Sequence, residues 1–475
     1  MEPDSGSRQR TPEAALAELA AYRGTLLVDL DETLYLRNST EDFLDSACPG
    51  LLALLLLKCL DALKPWHLTG GAPTRDVWRV RLVMILMPWT LSRWRRRAPQ
   101  MAAAHGNAAL LDALRARALP VTVATVGFTP VVEPLVAAFD LPGTSVVAAR
   151  ISCAERRRGK LAAVNDALGA AAVTTAMVLS DSAEDQPLLA ACAHPLHVVW
   201  PGARYVPALG SVYLPGEYLA RVKRPGERYV LRGVLQDDFA YWVLSSIALA
   251  AHPLFHGAGL LLLLLSFWTI YERGYVDNDI AARAYEHDPK LSPEFFSSAV
   301  ATPTLRPWLW AAALGAAGIY VLRWPDLPRP ADGLRWAALL AGTYGWFRLY
   351  NRMDKGSRVW MFSVLQLARG AAFVVLVPVP LIGVAALVAH VVARWIPYYV
   401  YRLGGKGWPE LQPPLIRLMF FVLLALLLAV VDGPSLIMNY TALALLLWTA
   451  FRARHDLVLA ARSARRIDVR RRDRS

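Results

Sequence analysis

The sequence predicts a chain in two parts, an N-terminal α/β domain and a C-terminal all-α, polytopic membrane domain of about eight transmembrane helices. Three observations carry that prediction. A buried-strand pattern in the first half ends in two closely spaced aspartates, which is how a parallel sheet presents a site. The second half is a succession of apolar runs. The composition, 55% hydrophobic and only 19% charged with a mean hydropathy of +0.33, is too apolar for an ordinary soluble enzyme. The formal net charge of +13 sits largely in Arg clusters beside apolar runs, Arg93–Arg97 and Arg462–Arg474. Such clusters mark cytoplasmic flanks on anionic lipid, so membrane lipid rather than nucleic acid is the expected partner. Cys48, Cys59, Cys153 and Cys192 lack metal-ligand spacing and are expected to be reduced thiols.

The first fourteen residues are polar and lack an apolar core, so no cleavable signal peptide is expected, and residues 1–20 are expected to form a disordered leader. Within TLLVDLDETL, Leu26-Leu27-Val28 reads as a buried strand with Asp29 and Asp31 at its carboxyl end. Alternate residues of an extended segment project the same way, so both carboxylates can face one phosphoryl group. A second apolar strand, VTVAT, ends in the hydroxyl of Thr125, suited to a phosphate oxygen. Lys160 opens the amphipathic run LAAVNDALGAA and can neutralise phosphate charge. A third apolar strand, in AMVLSDSAEDQPLL, is followed by Asp181 and Asp185, oxygen ligands suited to Mg²⁺.

These four stretches, in this order over about residues 22–205, resemble the haloacid dehalogenase (HAD) phosphatase superfamily. The resemblance implies a Rossmann-like domain at 21–210 with a helical cap inserted at about 35–118. It implies Asp29 as a nucleophile forming an aspartyl phosphate and Asp31 as general acid and base. It further implies Thr125 and Lys160 as phosphate binders. The expected Mg²⁺ ligands are Asp181 and Asp185, with Asp29 and Asp31 counted beside them. A degenerate domain kept for structure is the competing reading. The cap region is unusually apolar. Leu51–Leu57 and Leu82–Trp89, the latter followed by TLSRWRRR, are too short to span a bilayer. They read either as segments lying in the headgroup layer or as a cap core packed on itself.

Pro, Gly and mixed charge around His194–Glu227 place a junction near residue 210. Apolar runs follow at 229–251, 254–273, 306–324, 333–350, 359–378, 379–397, 413–431 and 434–452. Arg-bearing connections at Arg273–Arg306, Arg348–Arg358 and Arg394–Arg417, with a basic tail at 456–475, alternate with charge-poor ones such as Asp432–Ser435. Arg323–Arg335 is the one mixed exception. The expectation is an integral protein of the inner or plasma membrane with the α/β domain and both termini cytoplasmic.

Two polar constellations fall on that side. Tyr271–Lys290 holds Asn278, Asp279, Glu286 and Asp288, and helical spacing would put Asn278, Asp279 and Glu286 on one face. Tyr344–Asp354 holds Tyr344 and Arg348 one turn apart, with Asp354 beyond. Acidic groups on separate helices, joined by Arg and Tyr, suit a Mg²⁺–diphosphate site. Each alone also reads as a solvated loop at a helix end. Roughly residues 218–452, within a transmembrane domain expected at 211–455, here resemble the UbiA superfamily of intramembrane prenyltransferases, whose first motif is NDxxDxxxD. The branch that transfers phosphoribose to polyprenyl phosphate carries a second motif, YxxxKxxxxxD. Tyr344, Arg348 and Asp354 match the second with Arg for Lys. Asn278 and Asp279 match the first, but Ala282 stands in place of an aspartate and Glu286 replaces the last one. One metal ligand is thereby lost, for which Glu272 or Asp277 could compensate. The resemblance implies Asn278, Asp279, Glu286 and Asp354 as Mg²⁺ ligands and Tyr344 and Arg348 as substrate binders.

Together the two resemblances imply a bifunctional membrane enzyme. One half would join phosphoribosyl diphosphate to a polyprenyl phosphate, and the other would remove the 5-phosphate to give a lipid-linked pentose donor for envelope glycans. The alternatives are a prenyltransferase moving an isoprenoid from a prenyl diphosphate to another acceptor, or a non-catalytic transporter or scaffold with an attached phosphatase.

Overall fold

A computed structural model of the protein describes residues 10–117, 119–297, 305–402 and 412–463. The start of the leader, parts of two Arg-bearing connections and the end of the basic tail lie outside the described residues. The chain divides into two compact units, Met1–Val212 and Tyr213–Ser475.

The first unit is built on five parallel strands, β1 (Leu26–Val28), β2 (Thr122–Phe128), β3 (Ser145–Ala149), β4 (Met177–Ser180) and β5 (His194–His197), in the order β3-β2-β1-β4-β5. The three expected strands are β1, β2 and β4; β3 and β5 were not foreseen. β1 is apolar and wholly buried, as a central parallel strand covered on both faces must be. The register Val28↔Val123 and Val28↔Leu179 ends β1 and β4 at nearly the same level, while β2 continues beyond them to Phe128. Helices α1 (Pro12–Ala21), α2 (Ser39–Asp45), α3 (Gly50–Leu63), α4 (Arg75–Leu86), α5 (Trp89–His105) and α6 (Ala108–Arg117) precede β2, and all but α1 belong to the insert after β1. The crossovers carry α7 (Thr129–Ala137), α8 (Cys153–Leu168), α9 (Ala170–Thr175) and α10 (Gln186–Ala191). Leu27, Ala124, Val164, Val178 and Leu188 form a buried cluster between sheet and helices. A buried bidentate pair, Arg79 with Glu41 at 2.5 and 2.9 Å, ties α4 to α2. Glu41 also accepts from the Ala208 N–H at 2.7 Å, which fastens the end of the unit to its cap.

The second unit is helical: α11 (Ala240–Ser246), α12 (Pro253–Tyr285), α13 (Pro293–Ser297), α14 (Arg306–Arg323), α15 (Pro330–Arg352), α16 (Arg358–Ala371), α17 (Leu381–Arg402), α18 (Pro413–Asp432) and α19 (Tyr440–Ser463). Every expected apolar run carries helix. Among the described residues four helices, Pro253–Tyr285, Arg358–Val375, Leu381–Arg402 and Pro413–Asp432, are long and apolar enough to cross a membrane. That is half the expected number. α15 and α19 have the length, but Asp332, Arg335, Arg348 and Arg352 in one and Arg452, Arg454 and Asp456 in the other dilute their apolarity. At 33 residues α12 runs about 50 Å, well beyond a hydrocarbon core of about 30 Å. It packs tightly on α14 because Gly259 and Gly318 face the partner helix; a Cβ at either would come within 2.9 Å of Leu322 or Leu263. In the core Asp238 accepts from Arg369 at 2.7 Å, and Asp237 pairs with Arg394, Arg417 and Arg452. Buried charges survive only when matched in this way.

Candidate functional site

In the first unit all six expected residues gather at the carboxyl edge of the sheet. Asp29 follows β1 directly, and its Oδ1 accepts from the Leu30 N–H at 2.7 Å. Asp31 lies two residues on, held by the Ser39 N–H at the start of α2, 2.6 Å from its Oδ1. β2 runs past the end of β1, so Thr125, buried within β2, stands beside them. Its Oγ1 accepts from the Gly127 N–H at 3.0 Å, leaving the hydroxyl proton to donate. α8 is broken at Gly159, whose φ of 79° is a left-handed conformation suited to glycine. That break delivers Lys160 into the site, its Nζ 2.8 Å from Asp29 Oδ1 and hydrogen-bonded to Asp185. After β4, Asp181 accepts from the Thr33 hydroxyl at 2.8 Å.

Three contributors were missed by sequence reading. Ser180, the last residue of β4, places its Oγ 2.6 Å from Asp185 Oδ2 and 3.1 Å from Asp29 Oδ2, cross-linking the two carboxylates. Arg156 and Arg157 line the same pocket, of about 620 Å³. The RRRGK string was the available signal, but only the break in α8 decides which of its cations face inward. Burial is the main reason that the Asp29 carboxyl lies above its ordinary range; Lys160 opposes the shift and Asp185 adds to it. Burial likewise pushes Asp31 up to about 6, against the stabilising Ser39 N–H. Burial also raises Asp181. Lys160 is kept charged: burial disfavours its ammonium, but Asp29 and Asp185 outweigh that and raise it.

Asp29, Asp31, Asp181 and Asp185 offer hard oxygen donors and more negative charge than Lys160 balances, a donor set that suits Mg²⁺. Among the described residues, however, no three His, Cys, Asp or Glu side chains converge as a metal-binding group. Lys160 stands between Asp29 and Asp185 instead.

The second unit separates what the sequence placed together. Adjacent residues on a helix point about 100° apart. Asn278 accordingly donates to Asn351 on α15 at 2.8 Å, whereas Asp279 turns to Tyr218 and Lys223, at 2.9 and 2.5 Å. Glu286 lies past the end of α12 in extended backbone and pairs with Arg358 at 2.5 Å and Lys355 at 3.4 Å. The expected common face of Asn278, Asp279 and Glu286 is therefore not present. Asp354 accepts from the Gly356 and Ser357 N–H groups and the Ser357 hydroxyl, stabilising its own turn. Glu272 is also unavailable, accepting from Tyr213, Gly216 and Leu219.

What does form is a pocket of about 1070 Å³ between the end of α12 and the α15–α16 corner. Tyr344, Arg348, Glu286 and Asp354 line it; Asn278 and Asp279 do not. Arg273, Arg352, Lys355 and Arg358, missed in the sequence, line it too and make it cationic. Tyr344 donates to Asp277 at 2.9 Å, and Asp277 is 2.6 Å from Arg273. Each lining carboxylate is thus engaged by a cation or by its own turn. The residues do not fit the Mg²⁺ centre expected here.

Residues 26–190 match the family model for haloacid dehalogenase-like hydrolases, a stretch that includes Asp29, Asp31, Thr125, Lys160, Asp181 and Asp185. Searches of curated proteins and of solved structures gave no match.

Proposed function

We propose that the haloacid dehalogenase-like hydrolase domain at residues 26–190 is a Mg²⁺-dependent phosphatase acting on a lipid-linked sugar phosphate made by the helical unit. The observation that carries the phosphatase reading is Lys160 Nζ at 2.8 Å from Asp29 Oδ1, with Thr125 and Asp31 at the same strand ends. Asp29 attacks phosphorus through Oδ2, which carries only the long bond from Ser180. The bond to the leaving oxygen breaks, and Asp31 supplies that oxygen's proton. Water then attacks the aspartyl phosphate, Asp31 accepts its proton, and inorganic phosphate leaves. A carboxyl titrating near 6 can serve in both directions around neutral pH. Lys160 and the Thr125 hydroxyl hold the phosphoryl oxygens. A cation bound by Asp29, Asp181 and Asp185 would offset the charge of two approaching anions.

For the helical unit the proposal is transfer of 5-phosphoribose from phosphoribosyl diphosphate to a polyprenyl phosphate. An oxygen of the lipid phosphate bonds to the anomeric carbon as the bond to diphosphate breaks. The support is the pocket's chemistry: Arg273, Arg348, Arg352 and Arg358 can bind diphosphate oxygens in pairs. No metal-dependent step is assigned to that pocket. Covalent linkage of the two units would raise the local concentration of the intermediate.

The test incubates purified full-length protein and the Asp29→Asn variant with Mg²⁺, polyprenyl phosphate and phosphoribosyl diphosphate, and reads lipids by mass spectrometry. The expected result is a phosphoribosyl lipid accumulating in the variant and a ribosyl lipid in the parent. If neither forms a sugar lipid, the ribosyl reading fails. Turnover of a prenyl diphosphate under the same conditions would then identify the prenyl-transfer alternative.

A further inference from the structure

The helical insert of the first unit carries an apolar surface with no counterpart elsewhere among the described residues of that unit. On α3 the buried side is Ala53, Leu54, Leu57 and Leu60, as expected of a helix packed on a core. The opposite side is apolar as well: Leu51, Leu52 and Leu55 are exposed, and so is Leu63 a turn or more beyond. A helix that is hydrophobic all round is normally covered on all sides. α3 and α4 run antiparallel with their ends pinned. Asp61 near the end of α3 takes a bidentate bond from Arg75 at the start of α4, at 2.8 and 3.0 Å. At the other end Trp89 Nε1 donates to the Cys48 carbonyl at 2.6 Å. The pairing brings Ile85 (74% exposed), Leu86 and Trp89 (52% exposed) beside Leu51, Leu52 and Leu55.

Three cations border this patch. Arg93, Arg95 and Arg96, on the first turns of α5 after Trp89, are exposed and have no acidic partner among the described residues. Arg97, by contrast, pairs with Asp45 at 3.0 Å. Leucines ringed by Trp and unpaired Arg suit an anionic lipid surface, in which the aliphatic side chains enter the acyl boundary and guanidinium groups meet phosphates. The chain also leaves the unit at this patch. A Cβ on Gly50, the first residue of α3, would lie 3.2 Å from Val212, the unit's last residue, and the helical unit with its four candidate spans begins at Tyr213.

We infer that the α3–α4 face of the cap, with Trp89 and the Arg93–Arg96 turn, docks on an anionic bilayer surface. The inference does not depend on the chemistry proposed for either unit. Its consequence for the phosphatase is that α2 and α4, which flank the opening through Thr40 and Asp76, belong to the same insert as the docked face. Substrates anchored in the bilayer are thereby favoured over soluble phosphate esters.

The test uses the full chain in nanodiscs of phosphatidylglycerol and phosphatidylcholine. Nitroxides are attached at Leu55→Cys and Ile85→Cys in a background with the four native cysteines replaced by Ala. A control label at Ala170→Cys stands at the start of α9, which leads into the amino end of β4, the opposite edge of the sheet from the cap insert. The two cap labels are expected to collide more with oxygen than with a water-soluble nickel chelate, and the control the reverse. Arg93→Glu/Arg95→Glu/Arg96→Glu, or discs of phosphatidylcholine alone, should shift the cap labels towards the nickel reagent. Cap labels open to nickel in anionic discs would overturn the inference. So would cap labels shielded from both reagents, which would mean cover by protein, either the helical unit or a second copy. If the cysteine-free background does not give monodisperse protein, a photoactivatable phosphatidylglycerol is cross-linked to the unaltered chain. Adducts mapping to 51–55 and 85–89 support docking, and their absence while the helical unit is labelled overturns it.

Discussion

Around Asp29 the acidic and basic groups hang from loops directly after β1 and β4, from β2 itself and from the break in α8; around Arg348 they hang from the end of α12 and the α15–α16 corner. The first setting kept expected neighbours together and the second did not. A residue just past a parallel strand has one direction to go, because the strand's register is fixed on both sides. A residue near a helix end is placed by its rotation about the axis and by where the helix stops. Asp279 and Glu286 went separate ways for those two reasons. The outcomes also differ electrostatically: the α/β site has excess carboxylate around Lys160, whereas the helical pocket has excess guanidinium.

The sharpest way to separate the two sites is Asp29→Asn. It should lower phosphate release by at least about a thousandfold while leaving diphosphate binding in the helical unit unchanged, read by phosphate assay and by calorimetric titration. A next smaller effect is structural and confined to the first unit. Glu41→Gln breaks the buried pair with Arg79 and should destabilise that unit by about 3 kcal/mol, measured by denaturant unfolding. Burial opposes ionisation of Glu41, but Arg79, with the Ala208 N–H and the Tyr205 hydroxyl, holds its carboxyl below the ordinary value. A depressed carboxyl contributes stability above its unfolded pKa and loses it as pH falls through the folded one. The parent should therefore lose stability on acidification below about pH 4, and the variant should lose less.

In the helical unit Arg348→Ala should weaken diphosphate binding about tenfold, since a charge-assisted contact is worth about 1.5 kcal/mol or more. Ser180→Ala should cost about 1 kcal/mol of stability and lower phosphate release without changing diphosphate binding. The smallest expected effect is the most discriminating. Asp279→Asn, which the motif reading makes essential, should leave diphosphate affinity unchanged because Asp279 faces Tyr218 and Lys223. A large loss of affinity there would restore the metal-centred reading of the pocket.

Much of this molecule was legible before any coordinates. Buried strand patterns followed by Asp29 and Asp181 fixed the sheet's ligand edge, since strand ends need only local sequence to specify them. The apolar runs fixed where helices form, because burial of apolar side chains is read residue by residue. β3 escaped notice because SVVAA is only partly buried and short. Ser180 escaped because a serine closing a strand carries no signal until two carboxylates are brought to it. Which way Asp279 points, and that Glu286 is spent on Arg358, were decided by tertiary structure alone. The physical reason is that strand alternation is fixed by covalent geometry, whereas a helix's rotation and end point are chosen by what packs against it.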